Sequence, residues 1–258
     1  MKRSNDRITN MVLNYIGEET LNNIDSFSDN LKNQPHINFS KYEELNNFFG
    51  NGVYDNISNQ EIDSIRYYTG ISYREINAVL RDNWTYETNG LLTEEKKHEY
   101  LELANEIGNS IEKVAPLPGN IATYRGVDLS SFKRYGVNTL EDLLNLKGEY
   151  FYEQAFTSTS LIRSASFFDR DLEWHSRCNI EIKYIIPAYS TEGVPLLDTN
   201  TSYSSNQSEY LINKSSLSKI VDVQLSEDRT KAYVTMALIP QKVWDKQKQE
   251  NDNQTREI

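Results

Sequence analysis

The chain has one cysteine, Cys178, and three histidines among its 258 residues. A single thiol excludes an intrachain disulfide framework and a cysteine-rich zinc site. His36, His98 and His175 are scattered without metal-ligand spacing, so no metal is expected. Cys178 precedes the alternating run Asn179-Ile180-Glu181-Ile182 and reads as a buried strand-edge thiol rather than a nucleophile. Long apolar runs are missing too: no stretch approaches the roughly 20 apolar residues of a membrane span. The basic tip Met1-Lys2-Arg3 is followed by no signal-peptide core, so a soluble protein is expected. Positive charge is scarce, with 27 Lys and Arg against 38 Asp and Glu and a net charge of -11. That balance disfavours nucleic acid or an anionic membrane as the main partner, since either needs a basic face.

What is present is polar and rich in hydrogen-bonding groups, with 17 tyrosines, and long enough to bury a sizeable core. The first half has helical period. Ile8, Met11, Val12, Tyr15 and Ile16 predict an amphipathic helix to about Leu21, followed by a polar connector from Asp25 to Ser40 around Pro35. Further helices are predicted over Tyr42 to Phe49, Asn59 to Tyr68, Tyr73 to Arg81, and Thr93 to Val114. In the last, Thr93 caps the start and Tyr100, Leu103, Ile107, Ile111 and Val114 line one side.

After Gly119 the pattern shortens. Strands are predicted over Ile121 to Gly126, Tyr150 to Ser158, Asn179 to Ile186, Glu209 to Ile212, Ser218 to Gln224 and Ala232 to Ile239. A short helix spans Thr139 to Leu146, and Asp228-Arg229 reads as a hairpin tip. Helices first and strands later give an α+β fold. Three segments are expected: a helical extension over 1–41, a main domain over 42–242, and a polar, frayed tail over 243–258.

Chemistry concentrates in the second half. Arg125 ends a strand and is followed by Gly126, whose missing side chain lets a ligand approach the backbone. Ser158-Thr159-Ser160 sets three hydroxyls at the end of another strand. Glu209 opens a third, after the polar run Thr201 to Ser208. Gln207 and Glu209, two positions apart, point to one face of an extended chain. An arginine for phosphate, a serine to orient a glutamate, and a glutamate to polarise a sugar hydroxyl suit chemistry at a nucleotide's ribose.

This ordered set resembles the bacterial mono-ADP-ribosyltransferase toxins of the Arg, Ser-Thr-Ser and Gln/Glu-x-Glu class, and within them the C3-like exoenzymes, over roughly Tyr42 to Pro240. The resemblance implies helices packed on a two-sheet mixed and antiparallel β core, NAD+ as co-substrate, no metal, and a secreted, monomeric protein acting in the cytosol of a host cell. It extends to Tyr68-Thr69-Gly70, Tyr73, Ile76-Asn77 and Leu80-Arg81, and implies that Asn77 and Arg81 reach the phosphates and adenosine side of NAD+. Arg125 and Gly126 would bind the nicotinamide-side phosphate and the carboxamide. Phe167, or Phe168 if the loop shifts by one, would lie against nicotinamide, and Arg170 would be a second phosphate clamp.

Glu209, held by Ser158, would stabilise the positive charge that develops as the glycosidic bond breaks. Gln207 would select an amide acceptor, chiefly an asparagine of a Rho-type GTPase, with Tyr203 contacting the target protein. Two other activities of the same fold stay open, an arginine-directed transferase and an NAD glycohydrolase. So does a non-catalytic docking module of a larger toxin.

Overall fold

The computed structural model describes residues 6–50, 52–83, 92–166, 168, 178–197 and 208–245. Among the described residues the helices come first: α1 (Arg7–Ile16), α2 (Glu18–Asn33), α3 (Tyr42–Phe49), α4 (Asn59–Tyr67), α5 (Tyr73–Leu80) and α6 (Glu94–Glu112). The strands follow as β1 (Ile121–Val127), β2 (Tyr150–Glu153), β3 (Thr157–Ser160), β4 (Ile180–Ile186), β5 (Gly193–Leu196), β6 (Glu209–Ile212), β7 (Ser216–Leu225) and β8 (Ala232–Ile239). A last helical turn, α7, covers Gln241–Trp244.

The expected α+β architecture is present, with one correction to its β core. The strands form a single hydrogen-bonded sheet in the order β2-β7-β8-β4-β1-β3-β6-β5, not two sheets. Its halves meet at a thin seam, where β1 and β3 share one registered pair, Tyr124 with Ser160. By contrast β1 pairs with β4 along its whole length, from Ile121–Ile186 to Val127–Ile180. Apolar residues of both halves enter one core: Ile121, Ile180, Ile182, Val234 and Met236 from one side, Leu161, Tyr210 and Ile212 from the other. A second core lies under the helices, where Ile65, Tyr68, Ile76, Ala104, Ile107 and Ile111 meet Phe156, Val194, Leu196 and Leu211. Strand β6 therefore buries both faces, and by its two-residue alternation Glu209 shares the helix-side face with Leu211.

Helices α3 to α6 begin and end where periodicity and caps place them. Thr93 accepts from the Lys96 N–H, and Ser58 with Glu61 forms a capping box on α4. The amino-terminal segment differs. Gly17, at φ 85°, breaks the first helix, and α2 runs on to Asn33 through the segment expected to be a connector. Its polar residues hid the helix: Leu21, Ile24, Ser28 and Leu31 are buried, while Asp25 and Asp29, one turn apart, both hold the Lys219 ammonium of β7. Lys219 is only 5% exposed at its side chain, so this pair of carboxylates removes an otherwise costly buried charge. The buried stripe of α1 is Thr9, Leu13 and Ile16, whereas Met11 and Tyr15 face solvent.

Three further differences lie in the sheet and tail. The predicted strand from Tyr150 to Ser158 is two strands, β2 and β3, in opposite halves of the sheet. The sequence had shown no strand at β5, because Pro195 interrupts it; as an edge strand it tolerates the missing N–H. The start of the segment expected as a tail forms the last turn, α7. Trp244 is buried and donates through Nε1 to the Ile239 carbonyl, and residues 246–258 lie outside the described residues. The predicted helix from Thr139 to Leu146 is a 3-10 helix over Glu141–Leu146.

Gly193 of β5 has a steric reason to be glycine. A Cβ there would overlap the Tyr210 ring and sit 2.8 Å from the Leu211 carbonyl oxygen. Gly193→Ala is therefore expected to destabilise the fold by about 1–3 kcal/mol through overpacking. Urea unfolding with an unchanged midpoint would contradict this.

Candidate active site

The site forms where the two sheet halves meet. β1 carries Arg125, β3 carries Ser158, and β6 carries Glu209 at its first position. Ser160 lies directly opposite Glu209 in the β3–β6 ladder, so Ser158 and Glu209 project from one face of adjoining strands. The Arg125 guanidinium bridges the thin seam by donating from Nη1 to the Ser158 carbonyl at 3.1 Å. The three hydroxyls then divide. Ser158 hydrogen-bonds the Glu209 carboxyl, Thr159 donates to the Tyr210 carbonyl at 2.8 Å, and Ser160 donates to the Ile162 carbonyl at 2.8 Å.

Glu209 is 6% exposed. Burial pushes its pKa above the ordinary carboxylate range, while the Ser158 hydrogen bond and the Arg125 charge pull the other way. Desolvation is the larger effect. The residue before it, Ser208, has a left-handed backbone at φ 44°, and its carbonyl accepts the Leu161 N–H at 2.8 Å. A non-glycine residue at positive φ costs about 1 kcal/mol or more, and here it aims the next side chain into the seam.

The helical layer brings the second group of residues. A π-helical turn over Tyr68–Ser72 joins α4 to α5, the kind of widened turn that recurs at functional sites. It buries Tyr68 against Phe156, ring centroids 5.0 Å apart, and the Asn77 amide donates to the Tyr68 hydroxyl at 3.0 Å. Burial raises the Tyr68 pKa, with Glu209 raising it and Arg125 and Arg81 lowering it, so this phenol lies within electrostatic reach of all three. Arg81, at the end of α5, pairs with Glu153 of β2, Nε to Oε1 at 3.0 Å.

The structure thus gathers Asn77, Arg81, Arg125, Gly126, Ser158 and Glu209 around the seam. Phe167, Arg170, Tyr203 and Gln207 lie outside the described residues. Phe168 packs its ring on Tyr233 of β8, centroids 5.6 Å apart, with the Lys231 ammonium 5.7 Å from its own ring centroid. Sequence reasoning gave no role to Tyr68, although it lies in a stretch already singled out, nine residues before Asn77. It missed Glu153 altogether, which lies 72 positions from the arginine it holds.

Two guanidinium groups and a carboxamide, set beside a buried, serine-held carboxylate, form a donor set that fits an anionic dinucleotide carrying a sugar that becomes cationic during reaction. The fold has solved counterparts. The structure of a C3 enzyme from S. aureus with NAD has a TM-score of 0.61 and 19% identity, covering 80% of this chain and 100% of that one. The C3 exoenzyme of Clostridium limosum has a TM-score of 0.59 and 22% identity over 80% and 98% of the two chains. An ADP-ribosyltransferase from Clostridium botulinum has a TM-score of 0.60 and 23% identity over 80% and 99%. No curated protein sequence matches the chain. Residues 22–241 match the sequence model described as ADP-ribosyltransferase exoenzyme. The protein is an NAD-dependent mono-ADP-ribosyltransferase, and the chain belongs to the ADP-ribosyltransferase exoenzyme family.

Proposed function

We propose that this transferase passes ADP-ribose from NAD+ to the side-chain amide of an asparagine on a Rho-type small GTPase, as a secreted monomer acting in the host cytosol. No helix among the described residues is long and apolar enough to cross a membrane. The observation that carries the catalytic part is the buried Glu209 carboxyl, hydrogen-bonded by Ser158 and within reach of the Arg125 charge at the meeting of three strands.

Bound NAD+ supplies a cationic nicotinamide that leaves as a neutral molecule, so little proton transfer is needed. Asn77, Arg81 and Arg125 anchor the phosphates and fix the ribose relative to the carboxylate. Glu209 accepts a hydrogen bond from the ribose 2'-hydroxyl, and its charge stabilises the positive charge that develops at the sugar carbon. Ser158 keeps the carboxylate oriented. Gly126 leaves room at the backbone beside Arg125; by the family resemblance Phe167 would lie against nicotinamide and Arg170 would be a second phosphate clamp.

The acceptor assignment rests on Gln207, whose amide both donates to and accepts from a carboxamide, which a carboxylate cannot do. Tyr203, earlier in the same run, contacts the target protein. Mass spectrometry of a Rho-type GTPase incubated with this protein and labelled NAD+ tests it: label on asparagine supports the reading, and label on arginine alone overturns it. Gln207→Glu is expected to abolish asparagine labelling while NAD+ hydrolysis continues.

Glu209→Gln is expected to lower turnover about 100-fold or more. Because activity needs the carboxylate, the acid limb of the pH–kcat/KM profile falls above the ordinary value of 4.5. The stability effect has the opposite sense. A carboxyl whose folded pKa is raised binds its proton more tightly in the folded state, so stability falls as pH rises from 4.5 through the folded value. Glu209→Gln should melt higher than the parent at neutral pH, with the gap narrowing on acidification. A gap independent of pH in thermal melts would contradict that assignment.

A further inference from the structure

We propose that Glu153 is a positioning residue for NAD+ binding, acting by fixing the Arg81 guanidinium where it meets a phosphate. The proposal rests on the reading of Arg81 as a phosphate-binding arginine and adds the residue that aims it.

Glu153 ends β2, and Thr157 begins β3 in the other half of the sheet. The crossover between them turns on one carboxylate oxygen. Glu153 Oε1 accepts the Ala155 N–H at 3.0 Å, closing the turn, and also the Arg81 Nε–H at 3.0 Å. Its side chain is 13% exposed, and that of Arg81 is 28% exposed. Arg81 follows the last turn of α5, next to Asp82 at φ 55°, where a long side chain would otherwise sample many rotamers. The carboxylate engages Nε, at the base of the guanidinium, which orients the plane of the terminal nitrogens that meet an oxyanion. A second tie runs parallel: the Asn77 amide donates to the Phe156 carbonyl at 3.5 Å. Helix α5 is thereby fastened to the same short crossover that leads into Ser158.

Charge and orientation make opposite predictions at this pair. A carboxylate beside a phosphate site repels the anionic ligand, so if charge dominated, neutralising Glu153 would tighten NAD+ binding. If aim dominates, the same change loosens it. Our proposal takes the second outcome.

The test is steady-state NAD+ glycohydrolase kinetics with Arg81→Ala, Glu153→Gln, Glu153→Asp and the double variant Arg81→Ala/Glu153→Gln, with thermal melts of each. Expected are a rise in KM for NAD+ of about tenfold in Glu153→Gln with kcat within about twofold, partial recovery in Glu153→Asp, and no further rise when Glu153→Gln is added to Arg81→Ala. A KM for Glu153→Gln that is unchanged or lower, while Arg81→Ala raises KM, overturns the positioning role of Glu153 and leaves Arg81 as a phosphate ligand. An unchanged KM in Arg81→Ala overturns the reading of Arg81 itself. A loss of kcat in Glu153→Gln in step with a lowered melting temperature also overturns the proposal, because it assigns Glu153 to the fold alone.

Discussion

The candidate site of this protein depends on a seam in a β-sheet where two strands scarcely pair. One registered pair joins β1 to β3, so the backbone and side chains along the rest of that boundary are not committed to a ladder. Arg125 spans part of the gap by donating to the Ser158 carbonyl, a task that would fall to a backbone N–H in a fully zipped sheet. The same discontinuity lets side chains of three neighbouring strands converge from a rigid framework, which holds them more firmly than loops would. Both apolar cores flank the seam, one between the sheet halves and one under the helices, so the framework is buried on each side while the boundary stays polar.

Within that seam, desolvation of Glu209 outweighs its stabilising partners. A hydroxyl and a guanidinium are less than bulk water provides to a carboxylate, and its pKa rises accordingly. Such a group is poorly placed for stability and well placed for reaction, because its charge becomes favourable when a positive charge develops beside it. Ser208 adds local backbone strain at the same position. Two unfavourable features thus stand at consecutive residues, the pattern expected where a fold holds a reactive group.

The residues legible in the sequence were those whose signal is local. The caps and periodicity of α4 to α6, the alternation of β4 and β8, and the ordered appearance of Arg125, Ser158 and Glu209 all operate within a few positions. The illegible parts were set by distant partners. Asp25 and Asp29 read as loop residues because the lysine they hold is on β7, about 190 positions away. The run from Tyr150 to Ser158 read as one strand because each half keeps strand character, and only the change of neighbours from β7 to β6 divides it. The two-sheet expectation failed for a related reason: a single residue pair decides whether the halves count as joined, and no pattern in either strand encodes it. Glu153 was invisible because a lone glutamate before Phe156 has no local signature of the arginine it pairs with.

The amino-terminal helix secures the strand from which Glu153 projects. Asp6 accepts from the Thr9 hydroxyl at 2.7 Å, and that hydroxyl lies 3.0 Å from the Tyr135 hydroxyl. Thr9 accepts the Tyr152 N–H at 3.4 Å, and Arg134 donates to the Tyr152 carbonyl while stacking over Phe151. These contacts meet the backbone polar groups of β2 on its outer edge, where the described residues offer no further strand. An edge strand tied at Tyr152 leaves the next residue little freedom. The position of Glu153, and through it the aim of Arg81, is thus set from both sides: by α1 on the edge of the sheet and by the turn to Ala155 at the seam.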